Sequence, residues 1–429
     1  MERRREDIAS IFKKNMTKSK NMAIYLEYNP KIWQQIWNNH FFSLSLQRKI
    51  EESMIQRTLQ PIIADYIGKG KALLLVGARQ VGKSTLFHQI ADTLQTPPLW
   101  LNCDQTSIRD ILTNPSLADL KMLIADNQTL IIDEAQRVEN IGLTLKLITD
   151  NIPNIQLLVT GSSSLGLHDR INEPLTGRKI EYFLYPISTE EIYRAEGLIA
   201  VREKLSLRLI YGSYPEVLYG TLPPQKTLRE LAESYLYKDI LELEGLRKSA
   251  VLQKLLTALA LQIGSEVSYN ELSKTIGIDN KTVEKYIDIL EKCFIIFRLN
   301  SYNRNLRTEL TKGKKIYFYD LGIRNAILSN FAPLEMRTDT GALWENFFIV
   351  ERMKHNHYAD RAVNTYFWRT ADKQEIDYIE ESNGELHLFE MKWNSKKQNS
   401  PFPNQFLKTY NPTHTDIITP ENYLPFLIS

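Results

Sequence analysis

The sequence predicts an α/β protein: a parallel sheet with helices on both faces, then a helical lid, a winged helix-turn-helix and a small α/β domain. Three observations predict it. Short apolar runs alternate with helix-like stretches between Leu73 and Tyr185. A glycine-rich turn, Gly77-Ala78-Arg79-Gln80-Val81-Gly82-Lys83-Ser84, joins the first of those runs to a helix. Near the C-terminus, Glu375-Ile376-Asp377-Tyr378-Ile379 and Glu385 to Lys392 alternate like two strands about a Ser382-Asn383-Gly384 turn.

At 429 residues the chain has room for two or three domains of about 150 residues. Hydrophobic residues at 43% and charged residues at 24% exclude a disordered chain, a collagen-like chain and a coiled-coil rod. Fifty-three Lys and Arg against 51 Asp and Glu leave a net charge of +2. No whole-molecule field drives nucleic-acid binding, so any such site is a local basic patch. Two cysteines, Cys103 and Cys293, form neither a disulfide framework nor a metal-ligand spacing. A reducing, cytoplasmic setting is expected. No apolar run approaches the length of a bilayer, and no membrane partner is expected.

The expected organisation has five parts. Residues 1–53 are an N-terminal extension, basic at first (seven basic and three acidic residues from Met1 to Lys20) and then rich in aromatics and Asn. A solvated tail dispensable for the core is expected there. Residues 54–188 form the sheet domain, opened by an amphipathic helix from Met54 to about Ile67. Its strands are expected at Ala72–Val76, Pro98–Leu101, Leu130–Asp133, Gln156–Thr160 and Lys179–Leu184. Residues 189–248 are a helical lid, interrupted at Gly212-Ser213-Tyr214-Pro215 and Pro223-Pro224. Residues 249–330 carry the winged helix-turn-helix, and 331–429 the small α/β domain.

The glycine-rich turn fits the phosphate-binding loop G-x-x-x-x-G-K-[ST]. Its backbone N–H groups, from Gly77 through Thr85, are expected to cradle the phosphates of ATP. Lys83 reaches the β- and γ-phosphates, Ser84 ligates Mg²⁺, and the helix beginning near Lys83 adds its positive end. Leu130-Ile131-Ile132-Asp133-Glu134 is an apolar strand ending in two carboxylates. Asp133 is expected to hold Mg²⁺ and Glu134 to polarise the attacking water, which favours hydrolysis over transfer to a small acceptor. Thr160 or Ser162, at the end of another strand, is the candidate γ-phosphate sensor. Arg178 is the stronger candidate for an arginine finger and Arg170 the weaker, supplied in cis or by a neighbouring copy in a homo-oligomer.

These residues, with Leu175-Thr176-Gly177-Arg178, Tyr185-Pro186-Ile187-Ser188, Gly212 to Val217 and Tyr235 to Ile240, resemble the prokaryotic AAA+-type ATPases of the archaeal-ATPase kind. The resemblance runs from Met54 to near the C-terminus. It implies an ATPase joined to a winged helix and a C-terminal nuclease-like domain; residues 1–53 depart from it.

In the expected winged helix, Ser268-x-x-Glu271 is a capping box and Asp279 caps a helix from Asn280 to Lys292. Val283, Tyr286, Ile287 and Leu290 form that helix's buried face, leaving Asn280, Lys281, Lys285 and Lys292 outside. Six basic residues follow (Arg298, Arg304, Arg307, Lys312, Lys314, Lys315), against the one acid Glu309. A basic wing over 298–315 on DNA phosphates is expected, with a protein-docking winged helix as the other reading. Asp377, Glu390 and Lys392 fit D-x₁₂-E-x-K, the pattern of PD-(D/E)XK nucleases. Asp377 and Glu390, with Glu345 from the preceding helix, are candidate metal ligands and Lys392 a candidate catalytic group. The sequence therefore points to Mg²⁺-dependent ATP binding and hydrolysis coupled to DNA binding. The alternative is a nucleotide-gated scaffold with slow turnover and an inactive nuclease-like domain.

Overall fold

The computed structural model describes residues 55–161, 175–233, 249–303, 313–370, 372–394 and 402–428, so the N-terminal extension lies outside it. The first part runs α1 (Leu59–Asp65), β1 (Ala72–Val76), α2 (Lys83–Ala91), β2 (Leu99–Asn102), α3 (Thr106–Leu112) and α4 (Leu117–Ile124). It continues with β3 (Thr129–Asp133), α5 (Ile141–Asn151), β4 (Gln156–Gly161) and β5 (Lys179–Phe183). The strands pair in the order β2-β3-β4-β1-β5, all parallel. β1, β3 and β4 are buried along their whole length, as unbroken apolar runs in a sheet covered on both faces must be. β4 lies between β1 and β3, with Val76 opposite Gly161 and Ile132 opposite Val159. The tip of β4 therefore separates the loop after Val76 from Asp133.

The helix expected from Met54 starts five residues later, at Leu59. Its would-be first turn is held elsewhere: the Thr58 N–H donates to Glu191 Oε1 at 2.9 Å, and the Arg57 side chain turns into the protein.

The helical part comprises α6 (Thr189–Tyr211), α7 (Pro215–Tyr219) and α8 (Pro224–Leu231). Ser188 and Glu191 form a complete capping box at the start of α6. α7 and α8 each begin on a proline, where no backbone N–H is needed.

The last part runs α9 (Ser249–Leu261), β6 (Glu266–Val267), α10 (Tyr269–Ile276), α11 (Asn280–Lys292), β7 (Ile296–Ser301), β8 (Lys314–Phe318) and α12 (Leu321–Ile327). Then come α13 (Thr340–Tyr358), β9 (Asn364–Arg369), β10 (Glu375–Ser382), β11 (Glu385–Met391), α14 (Asn404–Tyr410) and β12 (His414–Ile418). Asp279 caps α11 by accepting from the Thr282 N–H at 2.9 Å, and Val283, Tyr286, Ile287 and Leu290 are buried. Ser268 accepts from the Glu271 N–H, one half of the expected capping box.

These strands form one seven-stranded sheet, in the order β12-β11-β10-β9-β7-β8-β6. β7 and β9 pair in parallel, Asn300 opposite Tyr366 and Ser301 opposite Phe367. The boundary expected at 330/331 thus runs through a single sheet. An exposed edge of β7 would leave a row of unpaired backbone groups, and β9 covers it. The core shows the same continuity: Tyr302 packs with Trp368, Ile376, Ile379, Leu388 and Phe406.

α13 ties this sheet to the first one. Its Glu351 pairs with Arg208 of α6 at 2.8 Å and accepts from the Thr189 N–H at 2.5 Å. Its last residue, Tyr358, takes the Tyr185 N–H on its hydroxyl at 3.2 Å. Among the described residues no helix is long and apolar enough to cross a membrane.

Candidate functional site

The loop from Gly77 to Gly82 leaves β1 at the edge of the sheet where Asp133 and Thr160 also end. Two of its positions require glycine. A Cβ on Gly77 would lie 2.3 Å from the Leu184 carbonyl oxygen, and Gly82 adopts φ 96° as the residue before α2. Ala78 and Val81 are buried, while Arg79 is half-buried and Gln80 and Thr85 are exposed. A cavity of about 820 Å³ opens over the loop. Gln80, Lys83, Ser84, Thr85 and Glu134 line one side, and Pro215, Glu216, Thr227 and Leu231 of the helical part line the other.

Lys83 is 4% exposed. Its Nζ donates to the carbonyls of Gly77 at 3.1 Å and Ala78 at 2.9 Å. Burial pulls its pKa down to about 8 against the opposing pull of Glu134 and Asp133. A bound triphosphate would restore the charged form, so above pH 8 binding must take up a proton. ATP affinity should therefore weaken as pH rises from 7.5 to 9.5, approaching a tenfold loss per pH unit beyond about 8. Nucleotide titrations across that range, read by fluorescence, check the slope.

Ser84, Asp133, Thr160 and Glu134 form a continuous hydrogen-bonded line. Ser84 Oγ donates to Asp133 Oδ1 at 3.0 Å, and the Thr160 hydroxyl donates to the same oxygen. The Glu134 N–H donates to Thr160 Oγ1 at 2.9 Å. Gln136 Nε2 donates to Glu134 Oε2 at 2.5 Å. A hydroxyl and a carboxylate sharing one point offer the hard oxygens that suit Mg²⁺ alongside substrate phosphates. Thr160, fully buried, is the strand-end hydroxyl that meets the acidic pair. Ser162 and Arg170 lie outside the described residues.

The finger assignment for Arg178 fails within its own chain. Ala72 is opposite Lys179 in the parallel register, and the Ala72 N–H donates to the Arg178 carbonyl at 2.9 Å. Arg178 therefore sits where β1 begins, and the phosphate loop follows where β1 ends, five residues of strand away. Its guanidinium pairs with Asp150.

Sequence reasoning missed Arg57. Its Nη1 donates to the Val81 carbonyl at 2.7 Å, its Nη2 to the Tyr185 carbonyl at 2.5 Å, and its Nε to Glu191 at 3.0 Å. One buried side chain thus holds the phosphate loop, the segment that follows β5 and the first turn of α6. No motif marks it.

At the C-terminal centre, Asp377 of β10 and Glu390 of β11 are neighbours. Asp377 Oδ2 accepts from the Met391 N–H at 2.9 Å, and Lys392 Nζ lies 2.5 Å from Glu390 Oε1. Burial pushes both carboxyls up; Glu345 adds to the shift at Asp377, and Asp377 adds to that at Glu390. Asp377 and Glu390 are brought together, while among the described residues no three His, Cys, Asp or Glu side chains are placed to hold an ion, so Glu345 does not complete a set of three.

The basic wing is also smaller than expected. Arg298 is turned back onto Asp288, at 2.8 Å, and Glu291. Lys315 is 1% exposed and paired with Glu345 and Glu375. Neighbours on a strand face opposite sides, so Lys314 and Lys315 cannot serve one phosphate surface. Arg304, Arg307 and Lys312 lie outside the described residues.

Residues 69–193 match a family described as an AAA domain. This segment has a P-loop α/β fold and is similar to AAA domains. Residues 202–334 and 340–423 match two domains of unknown function, DUF8612 and DUF4143. Among curated proteins, an uncharacterised protein of Mycobacterium tuberculosis is 26% identical over 340 residues, covering 76% of this chain and 70% of that one. Another, from Haemophilus influenzae, is 25% identical over 357 residues, covering 78% and 84%. Among solved structures, the RuvB Holliday junction branch migration motor of Thermotoga maritima is 17% identical, covering 65% of this chain and 96% of that one at a TM-score of 0.28.

Proposed function

We propose that the protein hydrolyses ATP with Mg²⁺ at the P-loop cavity and couples its nucleotide state to DNA binding by the α10–α11 segment. The observation that carries the hydrolytic reading is the line Ser84–Asp133–Thr160–Glu134 beside Lys83 on the cavity wall. Ser84 and Asp133 would hold Mg²⁺, which when bound neutralises charge on the phosphate oxygens. Lys83 would release the Gly77 and Ala78 carbonyls and turn to the β- and γ-phosphates. Glu134 would accept the proton of the attacking water.

The DNA reading is supported by the order α9, β6, α10, α11, β7, β8, which is that of a winged helix, and by exposed Lys281 and Lys285 on α11. Likewise α13, three strands, α14 and β12 follow the order of a nuclease-like fold. The second reading, a nucleotide-gated scaffold, is favoured by the two wing cations already spent on internal carboxylates. ATP turnover of the purified chain with and without duplex DNA separates the readings. DNA-stimulated hydrolysis supports coupling, and tight ATP binding with slow, DNA-independent turnover supports the scaffold.

Replacing Arg304, Arg307, Lys312 and Lys314 together by Ala should weaken DNA binding for every sequence tested. The slope of log affinity against log salt should flatten by about one unit for each phosphate left without its cation. Fluorescence anisotropy over a salt series measures it; unchanged affinity would assign the segment to protein docking.

A further inference from the structure

Of the carboxylates assigned to a metal centre, Glu345 pairs with a lysine that the run of basic residues assigns to DNA, and Asp377 feels its charge. Lys315 leaves β8 on the face opposite Lys314 and runs into the sheet beside α13. Its Nζ lies 3.0 Å from Glu345 Oε1 and 2.5 Å from Glu375 Oε1, with the side chain 1% exposed. Tyr317, two residues further along the same strand and fully buried, donates its hydroxyl to the same Glu345 oxygen at 2.7 Å. Asp377 follows Glu375 by two residues on β10 and feels the Lys315 charge.

Each candidate ligand already has a donor. Glu345 takes Lys315 and Tyr317, Asp377 takes the Met391 N–H, and Glu390 takes Lys392. A divalent cation bound by Glu345, Asp377 and Glu390 would have to displace or repel a buried ammonium that cannot retreat to water. The donor set does not fit the metal that a PD-(D/E)XK centre uses.

We propose that the Lys315 ammonium is the resident cation of this centre, in the place of Mg²⁺ or Mn²⁺. The centre then acts as a charged clamp: it fastens β8, from the helix-turn-helix part of the sheet, to α13 and β10 of the C-terminal part. Four carboxylates (Glu345, Glu375, Asp377, Glu390) face three cations, Lys315, Lys392 and Arg369, the last 3.6 Å from Glu375, and the one excess negative charge fits the raised pKa values of Asp377 and Glu390. On this account the C-terminal domain contributes rigidity and surface, not phosphodiester cleavage. The inference deepens the scaffold reading of that domain and is independent of ATP hydrolysis.

The test is Mn²⁺ uptake by the full chain without nucleotide, counted by electron paramagnetic resonance, for the unaltered chain, Asp377→Asn, Lys315→Met and the double variant. The unaltered chain and Asp377→Asn should take up equal Mn²⁺. Lys315→Met should gain one Mn²⁺ per chain, because three carboxylates lose their neutralising charge, and the double variant should lose it again. A cooperative urea-unfolding transition, monitored by fluorescence, reports that Lys315→Met is folded. Mn²⁺ uptake by the unaltered chain that Asp377→Asn abolishes would overturn the proposal, whether or not Lys315→Met folds. So would Mn²⁺-dependent DNA nicking that Asp377→Asn removes, or a folded Lys315→Met that gains no ion. Failure of ATP hydrolysis in the unaltered chain leaves these counts unaffected.

Discussion

Glu134→Gln should bind ATP as the unaltered chain does and lose turnover by about two to four orders of magnitude, the usual worth of a positioned general base. The substitution keeps the side-chain length and leaves the backbone bond from the residue 134 N–H to Thr160 in place. The Ser84–Asp133 contact, proposed to serve the metal, is also untouched. Only the proton acceptor goes. Lys83→Ala should act one step earlier. It removes the charge-assisted bond to the phosphates, at a cost of about 2–5 kcal/mol, or roughly 30-fold to several thousand-fold in ATP affinity. Equilibrium nucleotide binding and single-turnover hydrolysis on the two variants separate the effects. Glu134→Gln turning over at the unaltered rate would remove Glu134 from the chemistry, and Lys83→Ala binding ATP normally would move the nucleotide off the loop.

The two variants act at positions that are legible in the sequence, and the reason is local. The phosphate loop is a run of contiguous residues whose glycines answer to close packing and backbone φ, and Asp133 ends an apolar run that could only be a buried strand. The five strands of the first sheet begin and end within about a residue of the apolar runs that announce them. What escapes depends on pairing between distant segments. Arg178 is a finger candidate because it lies downstream of the acidic strand in a loop containing Gly177; the parallel register of β5 on β1 sends it to the opposite end of the sheet. The wing and the C-terminal domain read as separate units because nothing in either strand announces that β7 pairs with β9. Lys315 is different, since consecutive lysines on a strand must face opposite sides. That rule, applied to Lys314 and Lys315, takes one of them off any shared phosphate-binding surface on sequence grounds alone.

Arg57→Met should be the most damaging single change to the stability of the P-loop domain. Arg57 has no signature because its partners lie 24, 128 and 134 residues away, at Val81, Tyr185 and Glu191. Burial pulls its pKa down, but Glu191 and Tyr358 outweigh that and hold it above the ordinary arginine value, so it is charged at every workable pH. Methionine fills much of the volume and supplies no donor. The Val81 and Tyr185 carbonyls lose a partner, and Glu191, with a fully buried side chain, keeps among the described residues the N–H groups of Thr58 and Ser188. Breaking one side of a buried ion pair costs about 3–5 kcal/mol, well above a typical surface substitution. Urea unfolding of the full chain, monitored by fluorescence, should show the loss. Glu191→Gln on the same background should recover part of it, because the stranded charge is the main penalty. The loop should respond too: with the Val81 carbonyl released, ATP should bind more weakly in Arg57→Met even at temperatures where the fold persists. Arg57→Lys should rescue stability only in part, since a single ammonium cannot reach three acceptors held apart by a planar guanidinium. A chain carrying Arg57→Met that unfolds at the unaltered urea midpoint and binds ATP normally would show that the P-loop is held without this side chain.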